Sequence, residues 1–330
     1  MAYETGIAST VTDILDKLRL FAAGNGWVIN RWVSAGNGYE LCLSKENCYF
    51  NLRAYSNELF KFRGQDVSSV RWGIAINGSD SYSESSAWDQ QPGRPVHPTS
   101  NYTISSYLPL VLGTGPFPSY HLFETDNCIY LELEVRTDTF QRLGFGRLTP
   151  FNAATIGSPF FYATSGSAEV TNATNNYSWL GADVDDTNYS QEEVPFRGAD
   201  INTSSSRCAS FVRTKTASLD AWASSGGRIS TIGLTRILCQ GGGVLDKILY
   251  TFGPNPVDAV SVMCPNIVGV SDDDTYLIPV GYLPNLQFTL MTNYSAKEEF
   301  LLGQDRWKLF PWFAKGGRTG QRAIAYRIIE

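Results

Sequence analysis

His97 and His121 are the only imidazoles in this 330-residue chain, so they bound its acid–base chemistry. A Ser/His/Asp triad would need one of them, and no G-x-S-x-G turn exists to carry its serine. His121 follows Tyr120 and precedes Leu122 and Phe123, surroundings that predict a packed, hydrogen-bonded ring. Glu132 and Glu134 stand two residues apart, about 7 Å along one strand face. Paired carboxylates serve glycoside hydrolysis, although any exposed sheet makes the same pattern. Asp183, Asp185 and Asp186 suggest a calcium loop. That loop needs glycine sixth and glutamate twelfth, where Asn188 and Val194 stand. Asp272, Asp273 and Asp274 read as a turn, with weak cation-holding capacity. Gly241-Gly242-Gly243 lacks the Lys-Ser/Thr pair of a phosphate loop, since Lys247 comes four residues later and precedes Ile248. The residues therefore predict no catalytic group, no metal and no cofactor.

Six cysteines, at 42, 48, 128, 208, 239 and 264, include no C-x-x-C pair, which disfavours a zinc ribbon or redox motif. Buried reduced thiols are expected, with Cys42 and Cys48 the one pair close enough in sequence to meet across a turn. The formal net charge is −6 with no basic block, which argues against nucleic acid as a partner. No secretory leader is read in the first residues, and no run of 18 apolar residues marks a membrane span. The N-x-S/T triplets, such as those at Asn77 and Asn172, then read as composition.

Positioning elements follow from periodicity. Residues 10–23 predict a helix, capped by Thr10, with Val11, Ile14, Leu15, Leu18 and Ala22 forming one apolar stripe. Strands are expected at 27–33, 39–43, 48–52 and 70–76, with turns at 35–38, 44–47 and a second Asn-Gly step, Asn77-Gly78. Residues 79–106 are polar and proline-bearing and predict an ordered surface loop. Ile129, Leu131, Leu133 and Val135 alternate with Tyr130, Glu132 and Glu134, the pattern of a half-buried strand. A second run, Phe140 to Leu148, pairs back on it, and Gly144 and Gly146 mark a bulge or a close backbone approach. Further strands are expected at 159–162, 209–214, 229–234, 276–280 (held to an edge by Pro279), 286–291, 307–313 and 324–329; residues 245–251 fit helix or strand.

The fold class is mainly β, with β-sandwich or meander sheets, a short N-terminal α-helix and long polar loops. The expected division is 1–163 as a helix plus β domain, 164–207 as a polar loop or linker, and 208–330 as a second β-rich domain or a continuation of the first.

The segment Tyr120–Leu148 resembles a stretch found in virion structural proteins of tailed bacteriophages. They carry a Y-H-x-F lead-in, an alternating strand, and a strand ending F-x-x-x-G-F-G-x-L; Tyr120, His121, Phe123, Phe140, Gly144, Phe145, Gly146 and Leu148 fit it. The opening helix, Asn25-Gly26-Trp27 and glycine hairpin resemble the same proteins more loosely. The resemblance implies a setting in the phage particle. With the mainly-β pattern and no complete catalytic set, the expectation is a non-enzymatic component of the tail, baseplate or neck, and the lack of a secretory leader implies synthesis in the cytoplasm of a host bacterium. Its partners would be other virion proteins and symmetry-related copies. Alternatives are a carbohydrate- or receptor-binding tail module contacting a host glycan, with Trp179 and Trp222 as exposed aromatics, or a glycan-degrading tail enzyme. Leu15, Leu18, Trp307, Phe310 and Trp312, from the apolar stripe and the aromatic run 307–313, are interface candidates, aromatics being favoured at hot spots. The alternative is that the stripe packs on the chain's own sheet and the tryptophans fill its core.

Overall fold

The computed structural model describes residues 2–62, 65–95, 107–152, 159–168, 208–215, 220–224, 236–239, 263–271, 277–312, 314 and 322–328. His97, Asp183, Asp185, Asp186, Asp272–Asp274, Gly241–Gly243, Trp179, the expected strand at 229–234, the segment 245–251 and most of 164–207 lie outside these residues.

The chain is mainly β. After β1 (Ala2–Ala8) comes α1 (Val11–Gly24), where the Thr10 side chain accepts the Asp13 N–H at 3.1 Å. Then β2 (Val28–Ala35), β3 (Gly38–Lys45), β4 (Cys48–Phe62), β5 (Gln65–Ser79) and β6 (Leu108–Leu112) form one antiparallel five-stranded sheet, in chain order. Glu46 and Asn47, both at positive φ, make the β3–β4 turn, and this is the backbone a two-residue hairpin loop requires. Cys42 pairs with Asn51 and Cys48 with Lys45, so these two cysteines are not cross-strand partners. Asn77-Gly78 is not a turn. Both residues lie inside β5, opposite Asn51 and Phe50, because Gly78 leaves room for the Trp222 ring.

Residues 80–95 cover the outer face of this sheet and include a single 3₁₀ turn, Trp88–Gln90. Buried Gln91 holds the loop shut: it accepts the Ser83 N–H and donates to the carbonyls of Ser83, Ser86 and Ala87.

The second sheet begins with β1, which pairs with β7 (Phe117–Thr125). It continues through β8 (Cys128–Arg136), β9 (Thr139–Arg147), β11 (Phe160–Ala168), β12 (Cys208–Lys215), β13 (Asp220–Ser224), β14 (Arg236–Cys239), β15 (Cys264–Ser271) and β16 (Leu277–Leu290). From β16 it passes to β19 (Arg322–Ile328), β18 (Asp305–Pro311) and β17 (Glu299–Leu302), with the short β10 (Thr149–Pro150) joining β16 from the side. Strands after Cys208 therefore continue the same hydrogen-bonded sheet. The segments 276–280 and 286–291 merge into the single β16, whose Pro279 pairs with Gly269 of β15.

This long sheet doubles back. Phe310 of β18 packs on His121, Phe123 and Phe140, and Tyr326 of β19 stacks on Phe123 with ring centroids 4.6 Å apart. The central strands are thus covered twice. Their Leu122, Ile129, Leu131, Leu133, Leu143 and Phe145 meet α1 and the five-stranded sheet in one core. Phe123, Tyr130, Phe140 and Phe161 face the other way and meet Phe288, Phe310, Trp312 and Tyr326 in a second. The alternation of β8 was expected to leave one face to solvent. Instead every residue from Cys128 to Glu134 is buried, because β18 and β19 lie over the polar face.

Candidate functional site

A seam of polar side chains runs through the second core, on the face that β7, β8 and β9 present to β18 and β19. Strand pairing sets Glu132 opposite Arg142, and neither side chain is reached by solvent. The Arg142 Nε donates to Glu132 Oε1 at 2.7 Å, Nη2 donates to the Pro311 carbonyl at 2.7 Å, and Nη1 bonds the Trp312 carbonyl. The Tyr326 hydroxyl donates to the same Glu132 oxygen at 2.7 Å. One guanidinium thus ties the middle layer to the end of β18. Glu132 Oε2 has no hydrogen-bond partner among the described residues. Burial pushes the carboxyl above its usual range, against the downward pull of Arg142 and Tyr326.

A second group lies beside it. Ser119 Oγ donates its single proton to Glu134, so its 3.3 Å contact with His121 Nε2 requires the imidazole to donate there. His121 Nδ1 then accepts from the Tyr3 hydroxyl at 2.8 Å. Lys297 binds Glu134 at 3.0 Å, and the Asp138 N–H donates to it at 2.9 Å. Burial raises the Glu134 carboxyl, but Ser119, Asp138 and Lys297 outweigh it and hold the group below its ordinary value. For His121, burial comes first, then Lys308 and Lys297, and together they push the imidazole down to about 3 against the pull of Glu134. Lys308 itself bonds Glu299 at 2.8 Å and lies 5.5 Å from the Tyr3 ring centre.

The chemistry of this arrangement is that of a clamp. In an acyl-transfer triad the acid orients the imidazole; here the acid holds the serine and a phenol holds the imidazole. Glu132 and Glu134 do share a face, but Glu132 is sealed and ion-paired, so the two do not flank a water-filled cleft of the kind glycosidases need. No cluster with metal-ligand composition occurs among the described residues.

The five interface candidates all sit inside their own chain. Leu15 and Leu18 fill the first core, Phe310 and Trp312 the second, and Trp307 a small cluster with Met291 and Leu309. Being covered already, they leave any contact surface to other residues. Trp222, which the carbohydrate-binding alternative would need exposed, is internal: its indole donates to the Gly93 carbonyl at 2.7 Å and packs on Phe160 and Tyr162. Cys42, Cys48, Cys128 and Cys264 are buried free thiols, with Cys42 pushed up to about 12 by burial.

Arg142, Ser119, Tyr3, Lys297 and Tyr326 were not singled out by sequence. Arg142 had no direct signal, because counting back from the Thr137-Asp138 turn puts Leu143 opposite Glu132, and only the register shift between Glu134 and Arg136 moves Arg142 into that place. Tyr326 and Lys297 had none, being 194 residues from Glu132 and 163 from Glu134 along the chain. No protein-family model matches this chain, and no curated protein does.

Proposed function

We propose that this chain is a non-enzymatic structural component of a tailed-phage particle, working in the tail, baseplate or neck through protein–protein contacts. One observation carries the reading: the polar residues that could have done chemistry in the phage-like hairpin are consumed in clamping two β layers together. His121, Glu132 and Glu134 are buried, and each is bonded to a group from another strand: Tyr3, Arg142 and Ser119 respectively. A body of stacked sheets clamped together in this way suits a part that transmits load and presents surfaces to neighbours. Its partners are other virion proteins and copies of itself.

Quantitative mass spectrometry of purified particles, with gold-labelled antibody to locate the chain, tests this. The expected result is a fixed copy number at a tail, baseplate or neck position. Absence from particles overturns the reading, as does reducing-sugar release by the purified chain. Glycan-array binding by the isolated chain would move it to the receptor-binding class.

A further inference from the structure

Sheet edges are where a β protein can accept another chain, and most edges carry a guard. Among the described residues, β2 has an inserted residue at Asn30 together with Arg31, and β17 is four residues long with Glu299 at its start. The outer edge of β1 has neither. It runs seven residues without lysine, arginine or proline, and its one charge, Glu4, is engaged by the Tyr120 hydroxyl at 2.7 Å. Where its pairing with β7 becomes irregular, the extra residue belongs to β7, so β1 stays straight. Thr5 is exposed, and Ile7, at 75% exposure, is the most exposed large apolar side chain described.

We infer that β1 pairs with β1 of a second copy, antiparallel about a twofold axis through Thr5. This rests on the assembly reading above and supplies the surface that reading leaves open. In this register Thr5 faces Thr5, Ala2 faces Ala8, Tyr3 faces Ile7 and Glu4 faces Gly6. Directly opposed residues share a face, so each exposed Ile7 lands against the Tyr3 ring of the other copy. No like charges oppose. A register shifted by two residues, with Glu4 opposite Glu4, would set two carboxylates together and strip Ile7 of its aromatic partner.

The neighbouring edge adds area. Lys308 reaches both Tyr3 of β1 and Glu299 of β17, so the outer edges of the two layers open on the same side. Two residues on, Leu301 is 72% exposed and Leu302 55%. One strand pair falls short of the roughly 1,200 Å² of a stable interface, and these leucines supply further apolar surface beside it.

The test uses the full chain. Sedimentation velocity on the parent should show a dimer, and Ile7→Lys should weaken it about tenfold or more, since it places a desolvated ammonium against the partner strand. Thr5→Cys, treated with diamide, should give a covalent dimer absent from the parent, because residues on a strand twofold have Cα atoms about 4.5–5.5 Å apart, within disulfide reach. An oligomer that survives Ile7→Lys and fails to cross-link through Cys at position 5 overturns the β1 surface while leaving the assembly reading standing. A parent that stays monomeric in solution and is absent from particles overturns both.

Discussion

Replacing Arg142 with methionine is the sharpest probe of the layered design. Methionine keeps an unbranched apolar stem in place of the arginine's and removes the guanidinium with all its charge. Glu132 would then be a buried carboxylate without its cation, and the Pro311 and Trp312 carbonyls would lose their guanidinium donor. Removing one partner of a buried pair costs about 3–5 kcal/mol, and each stranded acceptor about 1–3 kcal/mol when taken alone. These terms share one side chain and do not add, so about 5 kcal/mol is expected. That is comparable to the entire stability of many domains. The companion variant Glu132→Leu/Arg142→Met/Tyr326→Phe removes the charges and the hydroxyl together, and should recover more than half of the loss, since apolar substitutes for buried pairs are often neutral. Equilibrium urea unfolding followed by tryptophan fluorescence gives both numbers; if Arg142→Met is too unstable to purify, thermal melts in lysate rank the two. A loss below about 1 kcal/mol in Arg142→Met, or no recovery in the triple variant, would refute the clamp.

Acid should weaken the same interface through His121. Its ordinary value near 6.5 falls to about 3 on folding, so between those values the unfolded chain binds the extra proton. The contribution is complete above pH 6.5 and is lost as pH falls towards 3, to a limit of about 4–5 kcal/mol at 1.36 kcal/mol for each pH unit. Urea midpoints measured from pH 6.5 down to 5 should drop in the parent and flatten in His121→Phe; parallel slopes would sink the idea. Gly146 has φ +138, and a Cβ there would meet the Asn127 carbonyl oxygen at 2.3 Å and the Cys128 Cα at 2.5 Å. Gly146→Ala should therefore cost about 3 kcal/mol or more by calorimetry. Gly24→Ala, with open space around it, should be neutral or stabilise by up to about 1 kcal/mol. Equal melting temperatures for the two variants would contradict this account.

Local signals carried a large part of this fold. The Thr10 cap and the stripe Val11, Ile14, Leu15, Leu18 and Ala22 defined α1 within a residue at each end, because capping and helical periodicity are short-range. The turn at 44–47 located one hairpin and the paired runs 129–135 and 140–148 another, since turn residues and strand alternation lie within a few positions of one another. Where local chemistry was ambiguous, tertiary contacts decided. Asn77-Gly78 has the composition of a turn, yet the approach of Trp222 from 144 residues away needs glycine inside a strand. β1 reads as nothing in particular, because its partner β7 lies more than 100 residues on.

The candidate site shows the same division at higher stakes. Sequence placed Glu132 and Glu134 on one face of a strand, which period-2 geometry requires, and only the pairing of β7 with β8 set His121 beside them. It could not say what that face would meet. A strand of alternating polar and apolar residues is half-buried if its sheet is covered once, and wholly buried if covered twice. Only the folding-back of β18 and β19 brought Tyr326, Phe310 and the Pro311 and Trp312 carbonyls onto the polar side. That long-range closure turned an apparent pair of surface carboxylates into an ion-paired clamp. It also drew Phe310 and Trp312 inward, away from any neighbour. Burial is a property of two surfaces, and the chain's local pattern specifies only one of them.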